Sequence, residues 1–224
     1  MNSQGQSFDE LYDQLLSVLQ EFSSSALSGS VSTDTARRVI MAITSAYSEA
    51  YTDEVEYILK SLDIALDGTE RNNINNKVNS SQFTRDNYER LAEILDRRAD
   101  DIYSIKKEQS DKGYTDDEVK DKALNIILTI TVSELQMAVE RASVNSASAI
   151  EEVLDVKLTK TWNATLDDKT CEICASLHGT TIPVGASFSQ TTAGKEYAEE
   201  LSYGGNDTAY AHPRCRCWLT YDKA

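Results

Sequence analysis

The chain has 224 residues, 40% of them hydrophobic, with 22 basic and 37 acidic side chains and a formal charge of −15. That length allows one large domain or two modest ones with a real core, and the acidic balance argues against a broad grip on nucleic acid while suiting a basic protein surface. The longest apolar stretch, Ala123–Val132, falls short of the roughly 20 residues of a membrane span, and polar residues 1–7 followed by Asp9, Glu10 and Asp13 do not read as a signal peptide.

From Phe8 the apolar positions Phe8, Leu11, Leu15, Leu19 and Phe22 recur at helical spacing, with Ser7 as the N-cap. Ser23–Ser32, rich in serine, reads as a loop. A second helix is expected from Thr33 to Leu66 on a stripe of Ala36, Ile40, Ile43, Tyr47, Tyr51, Val55, Ile58 and Leu62, with Gly68 as its C-terminal cap. Such a helix would be about 50 Å long at 1.5 Å per residue.

Asn72–Gln82 has almost no core-forming residues and reads as an exposed loop, within a flexible linker spanning about residues 69–83. Thr84 then opens a helix carrying Tyr88, Leu91, Leu95, Ile102 and Ile105, which Gly113 ends. Thr115-Asp-Asp-Glu118 is a capping box, because hydroxyl and carboxylate can each satisfy a free amide of the first turn. The helix it opens should reach about Leu154. Its β-branched run Ile126–Val132 would suit a strand by propensity, but the flanking period favours a buried helix. From Val156 the pattern alternates, and strands are expected to the end. The fold class is thus α+β, mainly α: a helical region, 1–154, followed by a small β-rich C-terminal module, 155–224.

That module holds all four cysteines and one of the two histidines, as Cys171-Glu-Ile-Cys174 and His212-Pro-Arg-Cys215-Arg-Cys217. Two clusters of soft ligands far apart in sequence are what a tetrahedral zinc site needs. The other readings are disulfides stapling a small module and free buried thiols. Five candidates compete for four places. Cys171, Cys174 and Cys215 are common to the ligand sets, and the fourth is His212 or Cys217. A closed four-ligand site is structural, not catalytic.

Other chemistry finds weaker support. A thioredoxin-like use of Cys171 and Cys174 lacks its βαβ context. A nuclease would have only His178 to spare as a base. Adjacent carboxylates, Asp167-Asp168 and Glu199-Glu200, do not face one another on a regular element. Tyr47 and Tyr51 lie on an apolar stripe, and Arg97-Arg98 and Lys106-Lys107 share a helix with Asp96, Asp100 and Asp101, which suits a salt-bridged face.

Residues 160–179, with Trp162, Asp167-Asp-Lys-Thr170, Cys171-Glu-Ile-Cys174 and Leu177-His-Gly179, resemble the signature of the phage Mu F-like minor head proteins. The closing His-Pro-x-Cys-Arg-Cys of that family is intact at 212–217, and Phe188 falls where an aromatic often separates the halves. The resemblance covers about residues 137–221; the upstream helix, Ala138–Ala147, fits loosely and lacks a Thr-Glu pair common there.

What it implies is a non-enzymatic virion protein of a tailed phage or prophage. Such a protein is a minor head (capsid) component inside the head near the portal, present in the host cytoplasm during assembly. It has a role in head morphogenesis and genome packaging or ejection. Its expected partners are the portal protein, the major capsid protein or both, with weak contact to packaged DNA and none to membrane. A zinc-ribbon-like nucleic-acid-binding module on a helical arm is the second reading. An enzyme such as a nuclease or ADP-ribosyltransferase comes last, for want of a Gly-rich phosphate loop.

Overall fold

The computed structural model describes residues 8–78 and 81–224. The expected Ser7 cap lies outside them, as do the side chains of Phe8, Leu11, Tyr47 and Tyr88. The element order is α1 (Phe8–Leu27), α2 (Thr33–Ser61), α3 (Gly68–Val78), α4 (Ser81–Lys107), α5 (Gln109–Lys112), α6 (Asp116–Leu154), β1 (Leu158–Ala164), α7 (Glu172–Leu177), β2 (Thr181–Pro183), α8 (Ala198–Leu201) and β3 (Cys217–Lys223). Mainly helical with one small antiparallel sheet, this is the expected class.

Packing divides the chain into two compact units, residues 1–46 with 81–134, and residues 47–80 with 135–224. These cuts differ from the change in sequence character near residue 154. The first unit is all helix. Its core joins Leu15, Leu19, Phe22 and Ala26 of α1 to Val39, Ile40 and Ile43 of α2, Leu91, Leu95 and Ile102 of α4, and Val119, Ala123, Ile127 and Ile130 of α6. The buried carboxylate of Glu134 is held by both guanidinium nitrogens of Arg90, one at 3.1 Å.

Two expectations in these helices are corrected. Ser23–Leu27 is not loop but the last turn of α1, in which Ser23 is buried and the Ser24 hydroxyl donates to the Gln20 carbonyl at 3.0 Å. Ser32 is the cap of α2, accepting the Thr35 amide at 3.0 Å. Helix α2 stops at Ser61, not Leu66, because Asp63 turns left-handed (φ 52°) and the Ile64 amide reaches back to the Leu59 carbonyl at 2.9 Å.

The expected linker is also corrected, since residues 68–78 form α3 and bury Ile74 and Val78. Gly68 does not cap the preceding helix. Asp67 caps the following one: its carboxylate accepts the Thr69 and Glu70 amides at 2.7 and 2.8 Å, while Glu70 accepts the Asp67 amide at 3.0 Å.

Gly113, at φ 69°, is the left-handed cap of α5, and the Thr115–Glu118 box forms with bonds of 2.7 and 3.2 Å. Helix α6 then runs unbroken to Leu154 and takes in the β-branched run 126–132. Among the described residues α6 is long and apolar enough, by length and composition alone, to cross a membrane, a stretch the shorter candidate Ala123–Val132 undercounts. Core helices meet the same criterion, and α6 supplies buried residues to the cores of both units.

The second unit packs Tyr51, Val55 and Ile58 of α2, Ile74 of α3, and Ala142, Ala147 and Ile150 of α6 with the sheet residues into one core. Strand order is β2-β1-β3, all antiparallel, with Trp162 opposite Leu219 and Ala164 opposite Cys217. Alternation sends Leu158, Lys160, Trp162 and Ala164 inward and leaves Thr159, Thr161 and Asn163 on the open face. Trp162 meets Phe188 edge-on at 5.1 Å. The tail is less regular than expected: apart from three strands it consists of turns and short helices, with 3₁₀ turns at Phe188–Gln190 and Lys195–Tyr197.

Candidate metal centre

The first ligand pair sits where β1 gives way to α7. Thr170 and Asp167 close the intervening loop: the Asp167 amide donates to the Thr170 hydroxyl at 2.8 Å, and the Asp167 carboxylate accepts the Lys169 amide at 2.9 Å. Cys171 caps α7, its sulfur accepting the Cys174 amide at 3.4 Å. One turn of backbone therefore points both sulfurs the same way. At the other end of α7, Gly179 adopts φ 77°, a conformation open to glycine at little cost, and its amide donates to Trp162 at 2.8 Å.

The second cluster is built by a turn in which the Cys215 amide donates to the His212 carbonyl at 3.1 Å and Arg214 is left-handed, φ 61°. It brings His212 and Cys215 to the first pair, and Cys217 follows as the first residue of β3. Cys171 Sγ lies 3.1 Å and Cys174 Sγ 3.7 Å from His212 Nε2, and Cys174 Sγ lies 3.7 Å from Cys215 Sγ. Two three-ligand groups result, Cys171–Cys174–His212 and Cys174–Cys215–Cys217, with all ligand atoms of each within 4.8 Å of one another. All five predicted residues thus converge, and Cys174 belongs to both groups.

The histidine tautomer follows from its neighbour. His212 Nδ1 lies 3.0 Å from the Pro213 carbonyl, which can only accept, so Nδ1 carries a proton, and whenever the ring is neutral its Nε2 lone pair faces the sulfurs. Burial lowers the His212 pKa, but this carbonyl and the Cys171 sulfur outweigh it and raise it overall.

The thiols are tightly coupled. Cys174 and Cys217 thiols beside Cys215 bring it down to about 2. Cys174, facing Cys215 and Cys217 and partly buried, is held far above the ordinary range. Contact with Cys174 lowers Cys217, yet Cys215 and burial push it up to about 12. Ionising a second or third thiol this close to the first is opposed by repulsion between the thiolates, which a divalent cation would relieve. Free soft donors at these separations, with one imidazole already oriented, fit such an ion.

Arg216 of the closing motif forms a two-pronged ion pair with Asp167 at 2.6 and 2.7 Å, tying the two clusters together outside the ligands. The guanidinium holds the Asp167 carboxyl well below the usual range. The sequence marks Asp167 only as one of two adjacent carboxylates and Arg216 only as part of the closing motif, and does not pair them. The Asp-x-x-Thr and Cys-Arg-Cys patterns were the available signal for their pairing.

The remaining candidates are structural. His178 accepts the Ala164 amide on Nδ1 at 3.1 Å. Glu199 and Glu200 are exposed on α8. Tyr51 is buried and its hydroxyl accepts from Asn145 at 2.8 Å. Arg98 pairs with Asp101 at 2.9 Å, and the Lys107 ammonium stands over Tyr103 at 4.4 Å.

Comparison with known families gives one finding: the family described as phage Mu protein F like protein matches residues 72–220, well over half of the chain and more than the last third that carries the motif. No curated protein matches, and no solved structure does.

Proposed function

We propose, from the premise that this chain belongs to the phage Mu protein F like family and is a phage head-related protein, that it is a minor head protein of a tailed phage or prophage, docked near the portal inside the head. The observation that carries this reading is the joining of the family's two halves: residues 171–174 and 212–217 meet in one ligand cluster, clasped by Asp167 and Arg216. On this reading zinc fills the cluster as a structural ion, which cross-links two loops too short of apolar contacts to hold their shape alone. His212 with thiolates from both clusters would hold it, and no catalytic step is assigned.

The net charge of −15 favours a basic docking surface on the portal or on the inner face of the shell, with an encounter weakened by salt. Packaging or ejection of the genome would then be served by position and not by a grip on DNA. Co-purification of tagged protein with portal rings from infected or induced cells tests the docking. Tight binding to double-stranded DNA that survives physiological salt, without portal association, would favour the nucleic-acid-module reading instead.

A further inference from the structure

We infer that the metal is held by Cys171, Cys174, His212 and Cys215, and that Cys217 is a fifth thiol kept beside the ion but not bound to it. This rests on the structural-metal reading above and decides what the motif spacing leaves open. A tetrahedral zinc site with bonds of about 2.3 Å to sulfur and 2.0 Å to nitrogen has ligand–ligand edges of about 3.8 Å between sulfurs and about 3.5 Å between sulfur and nitrogen. The Cys174–Cys215 separation of 3.7 Å and the Cys174–His212 separation of 3.7 Å fall close to those edges.

Cys171 decides the place of His212. Its sulfur lies 3.1 Å from Nε2, and no thiol of the second cluster joins it in a three-ligand group. A four-thiolate set would have to remove the imidazole from between them. It would also leave two negative charges on the centre, whereas three thiolates and a neutral imidazole leave one. Arg216, one of two arginines beside the second cluster, is already paired with Asp167.

Backbone freedom separates Cys215 from Cys217. Cys215 shares with His212 the turn closed by the 3.1 Å hydrogen bond, so the two move toward the first pair as one piece. Cys217 is fixed differently. It pairs with Ala164 in the sheet, its carbonyl accepts from Gln136 at 3.2 Å, and its side chain lies on the buried face near the Trp162 indole. Its sulfur lies within 4.8 Å of those of Cys174 and Cys215, but the sheet pairing of its backbone leaves it less free than Cys215 to close on Cys171 and His212.

The test uses the full-length protein loaded with zinc and, separately, with cobalt(II). X-ray absorption at the zinc edge should give three sulfurs and one nitrogen in the wild type. Cys217→Ser should retain one zinc per chain with the same shell and weaken binding by no more than about ten- to a hundredfold, as for loss of a neighbour of the ligands. Cys215→Ser and His212→Ala should lose stoichiometric zinc and the intense tetrahedral cobalt bands. A wild-type shell of four sulfurs, or loss of zinc from Cys217→Ser with retention in Cys215→Ser, overturns the assignment. The wild-type shell decides between His212 and a fourth thiolate even if a variant fails to fold, and the zinc content of Cys215→Ser against Cys217→Ser decides which thiol of the second cluster binds. Wild-type protein that binds no metal at all would instead overturn the metal reading on which the assignment stands.

Discussion

Glu140 brings a carboxyl group into the second unit where little supports its charged form. It is buried, and among the described residues the one contact that favours ionisation is the Ala209 amide, donating at 3.2 Å. Burial raises its pKa from 4.5 to about 8, and Glu54, itself raised to about 6 by burial, adds repulsion. Between about pH 4.5 and 8 the folded chain therefore holds a proton that the unfolded chain has released, so stability falls as pH rises through this window. Glu140→Gln keeps an acceptor for Ala209 and removes that slope. Urea midpoints from pH 5 to 8.5 should fall less in the variant than in the wild type, and parallel curves would count against it. None of this was legible in the sequence. From Glu134 to Ile150 α6 buries residues on most of its faces, including Ser143 and Ser146, so no polar stripe marks Glu140 as unusual. The five candidate ligands could be picked out, and they do lie together, because their spacing is itself the chemical requirement.

Helix boundaries show where local signals suffice. The Thr115–Glu118 box was read correctly because both halves satisfy amides within four residues and need nothing from the rest of the fold. Thr115→Ala should cost about 1 kcal/mol of stability in the first unit, with the start of α6 fraying first in hydrogen exchange. An unchanged melting temperature would mean that the cap is redundant with packing. The same box at Asp67-Gly-Thr-Glu70 went unread because Gly68 competed as a stop signal, and because the polar α3 buries few apolar residues. Tertiary contact with Ile74 and Val78 supplies what the sequence period lacks. At Ser23–Leu27 the misleading signal was serine composition. Back-bonding takes up the Ser24 hydroxyl, and Ser23 is buried on the packed side of the helix.

At the scale of the molecule, the change of character near residue 154 marks where strands begin, not where packing changes. The sheet shares a core with residues 47–78 and with the end of α6. That sharing sets what removal of the proposed metal would do. β3 is held to α6 by the Gln136 and Ser143 side chains, and Arg141 of α6 holds Asp207 at 2.9 Å, all independent of the ligands. The loops at residues 165–171 and 212–216, by contrast, are joined by the ligand cluster and by the exposed Asp167–Arg216 pair. Exposed ion pairs are weak fasteners in water. Chelation of the full-length protein should therefore leave most of the helical circular dichroism in place while new protease cuts appear between residues 165 and 216. Trp162 fluorescence should change with it, since Cys217 lies beside its indole. Loss of nearly all helical signal on chelation would show instead that the ion supports the shared core itself, and that the cluster is the keystone of the second unit, not a local clasp.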